Sequence, residues 1–323
     1  MLTGRWVFEP DPHQPPNVFR RHPYLVGVGT PGLQANGAFH NSLGFRVKEN
    51  LGPKRPGIKR IVTLGGSTTY TTLIADGFTW PEKLQKELGD GYEVINMGMP
   101  GYTTVENLIE TAFLISDLEP DIALYYEGWN DARVLHVKNL LGDYSNVHAR
   151  SLYTYLGFGP SRKLEQSATV YFIKQVLFPS PYIDPLGQFY IEPDATAFTD
   201  TIDPRAIQLY QRNLRSIAAI ARSLKIAPVF VPQVLNYEQL TGEGAYGWLP
   251  YVRDKDLKSV MSSYNRAMQD VASELRVPFV GAVLQEKFEN QDFIDNGHFN
   301  QKGSAHFAQV LAQFIKETPI GVD

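Results

Sequence analysis

The stretch IVTLGGSTTY, residues 61–70, decides how this chain is read. Ile61, Val62 and Leu64 form a strand-like apolar lead-in, two glycines break it, and Ser67 follows with two threonines behind it. Three uses fit a serine placed there: a nucleophile presented on a tight turn, a member of a phosphate-cradling loop, or a residue that only ends a strand. A P-loop needs a lysine after its second glycine block, and GGSTTYTT has none, nor does it carry G-x-G-x-x-G. The choice between the other two uses depends on what the remaining chain supplies.

Outward from this segment, strand-like runs recur at residues 60–66, 92–98, 121–127, 227–233 and 277–283. Helical patterns lie between them. Thr79 as N-cap, Pro81 in the first turn and Gly89 at the stop bracket one helix, and TTVENLIETAFLISDL (103–118) is the next. Ile207, Tyr210, Leu214, Ile217, Ala221 and Leu224 step by three and four residues and so share a face. Leu257, Val260, Tyr264, Met268, Val271 and Leu275 repeat that spacing, and a last amphipathic helix spans about 301–316. Strands alternating with helices predict an α/β fold whose parallel sheet is covered on both faces.

Two segments depart from the alternation. Residues 1–58, rich in Pro, Gly and Asn, read as an N-terminal extension packed on the core, with HNSLGFRVKEN (40–50) as a short hairpin. Residues 59–323 form the main domain, interrupted at about 132–201 by an aromatic-rich insertion. It leaves the carboxyl end of the third strand, where open α/β sheets place ligands, and reads either as a lid or substrate wall or as a surface subdomain with its own small core.

Composition narrows the function class. With 30 basic and 34 acidic residues, net charge −4, there is no electrostatic case for a nucleic-acid partner. No apolar run approaches the roughly 18 residues of a membrane span, and no signal peptide is visible, so the chain as given is expected to be cytoplasmic. The absence of cysteine excludes disulfides, thiol nucleophiles and Cys-ligated zinc. Oligomeric state is not encoded in any of these features.

A serine nucleophile needs a base, a carboxylate to orient it, and donors for the oxyanion. Of the seven histidines, His13, His22, His40, His136, His148 and His306 read as surface or internally satisfied residues. His298 differs: it lies in FIDNGHFNQKGS before the final helix, three residues after Asp295. In a tight turn that spacing lets the carboxylate reach the Nδ1–H and leaves Nε2 to take a proton from serine. The rival use of an Asp and a His, a metal site, finds no further ligand cluster nearby in sequence. Gly101, in NMGMPGYTT, offers an unobstructed backbone N–H, and Asn130, in YEGWND, an amide over the same crevice. With the Ser67 N–H these make three candidate oxyanion donors. Glu127 and Trp129 are candidate substrate contacts whose alternative roles are a structural hydrogen bond and packing; Asp131 reads as a loop anchor. Arg46, with Arg20 and Arg21, is a candidate anion contact, or else a solvated or salt-bridged residue.

Ser67, Gly101, Asn130 and Asp295-x-x-His298, in that order after successive strands and before a last helix, resemble the GDSL/SGNH hydrolase superfamily over about residues 60–316. The resemblance implies a three-layer, flavodoxin-like α/β/α fold with a five-stranded parallel sheet, a Ser67–His298–Asp295 triad with the three-donor oxyanion hole, and no metal or organic cofactor. One departure stands out: where the superfamily carries Asp before the serine, this chain has Gly66, which is expected to ease a strained turn. The implied activity is esterase or acylhydrolase chemistry, with a short acyl group on a carbohydrate or other small hydroxylated substrate. The aromatic insertion keeps lipid substrates, and so a lysophospholipase or thioesterase, in view. Rivals are an acyltransferase using the same triad and a non-catalytic binding module on the same fold.

Overall fold

The computed structural model of the protein describes residues 18–20, 22, 25, 27–35, 37–48, 51–144, 203–238, 240 and 252–321. Its centre is a parallel sheet of four strands, β1 (Lys59–Gly65), β2 (Tyr92–Asn96), β3 (Ile122–Glu127) and β4 (Ala227–Pro232), in the order β2-β1-β3-β4. β3 and β4 are buried along their whole length and β1 at every position after Lys59, as expected of a sheet covered on both faces.

Alternation along the strands sorts the core into two layers. Val62, Leu64 and Tyr125 face one side with Leu214, Ile217, Met261 and Met268. Ile61, Leu124 and Tyr126 face the other with Trp80, Leu84, Phe307 and Leu311. The helices concerned are α1 (Ser67–Tyr70), α2 (Trp80–Leu88), α3 (Thr104–Phe113), α4 (Pro204–Ser223), α5 (Asp254–Leu275) and α6 (Gln301–Glu317). Thus α2 and α6 cover one face and α4 and α5 the other, a three-layer arrangement. Local chemistry sets the helix ends. Thr79 with Glu82 and Thr103 with Glu106 form capping boxes, and Asn300 accepts from the N–H groups of Lys302 and Gly303 at the start of α6.

Three expectations need correcting. The fifth strand, expected at 277–283, is reduced to one parallel bridge between Phe230 and Phe279. Pro278 has no N–H to extend the ladder, and the chain winds into a 3₁₀ turn at Gly281–Leu284 immediately afterwards. The helix expected over 103–118 ends at Phe113 and resumes as a separate 3₁₀ turn, Ile115–Leu118. The N-terminal hairpin lies at Gln34–Ala35 with Ala38–Phe39 rather than at 40–50, where Asn41 Oδ1 instead accepts from the N–H groups of Leu43 and Phe45 and closes a turn.

The segment expected as an insertion begins on the core: Val137, Leu140 and Tyr144 are buried against it, and from residue 145 to 202 it lies outside the described residues. Among the described residues no helix is long and apolar enough to cross a membrane.

Candidate active site

Ser67 opens α1 directly behind β1, at the carboxyl edge of the sheet. The turn that delivers it uses two glycines for different reasons. Gly65 has φ 149, and a β-carbon there would run into the Thr69 side chain and the Tyr126 carbonyl. Gly66 has an ordinary φ of −82. The strain expected at Gly66 is therefore one residue earlier. What requires a glycine at 66 is space, because its β-carbon would overlap the Asn130 amide nitrogen.

His298 reaches Ser67 from the loop before α6. Its Nε2 is 2.9 Å from Ser67 Oγ, and its Nδ1 lies 2.8 Å from Asp295 Oδ2 and 3.0 Å from Oδ1. Because Nδ1 faces a carboxylate it carries the ring hydrogen, leaving Nε2 to accept from the serine hydroxyl. Ser67 is 4% and His298 3% exposed, so solvent screens this chain of bonds little. Asp295 also accepts from the backbone N–H groups of Gly297 (2.8 Å) and His298 (2.7 Å), which fold the Asp-x-x-His segment into a tight turn. Burial pushes the Asp295 carboxyl up, but the His298 ring and those two N–H groups outweigh it and hold the carboxyl below its ordinary value.

Asn130 follows β3, and its Nδ2 donates to the Tyr102 carbonyl at 2.7 Å, leaving the second amide hydrogen uncommitted by that bond. Gly101 lies in the turn after β2 with φ 85. That turn is lashed to β1 by the Met99 N–H, which donates to the Gly65 carbonyl at 2.9 Å. The Ser67 N–H, the first of its helix, has no intrahelical acceptor by construction.

The remaining candidates lie elsewhere. Asp131 accepts from the Thr104 N–H at 3.1 Å and from the Thr104 hydroxyl, tying the loop of Asn130 to the start of α3. Burial lifts its carboxyl to about 7 against the pull of those bonds. Glu127 points inward and accepts from Asn107 Nδ2. Burial, then the neighbouring acids Asp131, Glu106 and Glu110, raise it well above the ordinary range, and its bond to Asn107 is a structural one. Trp129 is 2% exposed and lies against Gly297, backing the histidine loop. Arg46, a candidate anion contact, instead spends its guanidinium inside the protein on Asp76 and on the carbonyls of Tyr70, Thr71 and Ile74. Arg21 is outside the described residues, as is the side chain of Arg20.

Two supports were not singled out from sequence. Tyr102 supplies the carbonyl that holds Asn130, an invisible role because any residue has that group. Asn236 donates its N–H to the Asn296 carbonyl (2.8 Å) and its Nδ2 to Asn290 Oδ1 (2.8 Å), steadying the loop of Asp295 and His298 from beyond the end of β4. Its only sequence signal is an Asn just past a strand. Among the described residues no group of three or more His, Asp or Glu is placed to hold a metal ion.

The sequence model of the GDSL-like lipase/acylhydrolase family matches residues 63–306. No curated protein matches the chain. Similar solved structures include a GDSL-like lipase from Bacteroides thetaiotaomicron VPI-5482, 15% identical over 83% of this chain and 90% of that one, TM-score 0.45. A lipase/acylhydrolase from Enterococcus faecalis is 13% identical over 82% and 99%, TM-score 0.46. A catalytic mutant of an acetylxylan esterase from Geobacillus stearothermophilus is 14% identical over 80% and 95%, TM-score 0.45.

Proposed function

Because this chain belongs to the GDSL-like lipase/acylhydrolase family, we propose that it is a serine esterase that removes a short acyl group from a carbohydrate or other small hydroxylated substrate through an acyl-enzyme. The observation that carries this reading is the unbroken relay from Asp295 through His298 to Ser67, with contacts of 2.8 and 2.9 Å.

In this mechanism Ser67 Oγ attacks the ester carbonyl carbon while its proton passes to His298 Nε2. Asp295 stays ionised, holds the ring with its hydrogen on Nδ1, and stabilises the imidazolium. The carbonyl oxygen becomes an oxyanion that the N–H groups of Ser67 and Gly101 and the Asn130 amide would hold, each such donor contributing typically ~3–4 kcal/mol. Collapse breaks the bond to the alcohol, which leaves with the proton from His298. Water then attacks the acyl-serine with His298 as base, returning the acid and the free serine.

The proton transfer from Ser67 to His298 uses groups already within hydrogen-bonding reach, so that step needs little reorganisation. The position of Asp131, fully buried beneath Asn130 and bonded to Thr104, supports a role in holding the loop rather than in the chemistry.

Hydrolysis of p-nitrophenyl esters from acetate to palmitate tests the reading. Cleavage that peaks at acetate supports it. A peak at eight carbons or longer replaces the short-acyl assignment with a lipid or thioester one.

A further inference from the structure

The family match begins at residue 63 and so leaves out His40 and Arg46, yet both are bonded to the segment that carries Ser67. α1 is a single turn, too short to hold itself. Gly66 gives it no side-chain cap, and it ends at Thr71 in the left-handed region, φ 63, a costly conformation for a β-branched residue. Something outside the turn must hold it there.

The N-terminal segment does so. Arg46, 4% exposed, donates Nη1 to the carbonyls of Tyr70 (2.7 Å) and Thr71 (2.6 Å), Nη2 to that of Ile74, and Nε to Asp76 Oδ1 (2.9 Å). Its guanidinium carbon also lies 4.6 Å from the centre of the Tyr70 ring. His40 grips the same tyrosine. Nδ1 faces the Thr30 carbonyl at 3.1 Å and so bears the hydrogen, and Nε2 accepts from the Tyr70 hydroxyl at 2.7 Å. Phe19 packs edge-on against the Tyr70 ring, 5.2 Å between centroids. One turn back, the Thr71 N–H donates to the Ser67 carbonyl at 2.7 Å, so the clamped end and the serine are one bonded unit.

We propose that Arg46 and His40 are positioning residues for Ser67, fixing the far end of α1 and with it the direction of the serine hydroxyl. The working active site therefore includes chain that lies N-terminal to the family match. This rests on Ser67 being the nucleophile. A lysine at 46 keeps the charge but not the planar fork that meets three carbonyls and a carboxylate at once. A displacement of about 1 Å at the reacting atom costs ~10²-fold in rate.

The test is the rate at which a fluorophosphonate reagent labels Ser67 in the full chain, compared for wild type, Arg46→Lys and Tyr70→Phe, with the surface variant Arg215→Lys as control. Folded Arg46→Lys is expected to label ~10–100-fold more slowly and to lose kcat on p-nitrophenyl acetate by a similar factor, with KM nearly unchanged. Tyr70→Phe, which loses only the bond to His40, is expected to label about 3–10-fold more slowly and serves if Arg46→Lys does not fold. A purely stabilising clamp would instead lower the melting temperature and leave the labelling rate of folded protein untouched. A reactive wild type with equally reactive folded variants overturns this inference alone. A wild type inert to the reagent overturns the nucleophile assignment and this inference with it.

Discussion

The amide nitrogen of Asn130 occupies space that a β-carbon on residue 66 would need, and it is tied there by a 2.7 Å bond to the Tyr102 carbonyl. The residue before Ser67 thus shares its space with the Asn130 amide. Gly66→Ala must push the amide away while leaving an ordinary backbone φ. The expected result is a folded protein whose kcat on p-nitrophenyl acetate falls ~10²–10³-fold, as for loss of an oxyanion donor. Asn130→Ala should fall by a similar factor, and the double variant by little more than either alone, because both remove the same donor. Full additivity in that cycle would refute the coupling.

Asp295 fixes the tautomer of His298 through Nδ1 and pins the loop through two backbone N–H groups. In Asp295→Asn the side-chain oxygen can keep the backbone bonds while the NH₂ group faces the ring and favours a hydrogen on Nε2, the wrong nitrogen for a base. A kcat loss of ~10³–10⁴ with a melting temperature close to wild type is the expected signature. Wild-type kcat in Asp295→Asn would show that the carboxylate does not orient the base.

Buried acids behind the site set the pH dependence of stability. Burial raises Asp131 from 3.8 to about 7, and raises Glu110 and Glu127 well above their ordinary values. The folded state therefore holds more protons than the unfolded chain between the two pKa values, so stability falls as pH rises through that window. Asp295 has the opposite sign: its carboxyl is lowered, and its contribution is lost as pH falls through the folded pKa. Urea unfolding should show greater stability at pH 5 than at pH 8, with Asp131 alone contributing roughly 2–3 kcal/mol to the difference. Asp131→Asn should flatten the slope; an unchanged slope would remove Asp131 from its cause.

What could be read in the sequence follows the range of each interaction. Asp295 and His298 stand three residues apart, and their meeting is a property of one tight turn, so the spacing alone exposed it. The strand ends carrying Ser67 and Asn130 followed from alternation, since a parallel sheet puts those ends on one edge. Pro278 stands inside the apolar run at 277–283, and its missing N–H explains why the fifth strand shrinks to a bridge. The fate of Arg46 was not legible: three of its acceptors are backbone carbonyls, which no residue type advertises. The reason for Gly66 was hidden similarly, since a glycine that relieves strain and one that makes room look alike until its neighbour across the crevice is known.

The central claim is that Ser67 performs the chemistry, and hydrolysis of p-nitrophenyl acetate by purified wild type and Ser67→Ala, each shown to be folded by circular dichroism, tests it most directly. The substitution removes one hydroxyl that bonds to His298, so the fold should survive and turnover should drop to the uncatalysed background. Turnover by Ser67→Ala at the wild-type rate would place the reaction elsewhere in the molecule and contradict the account.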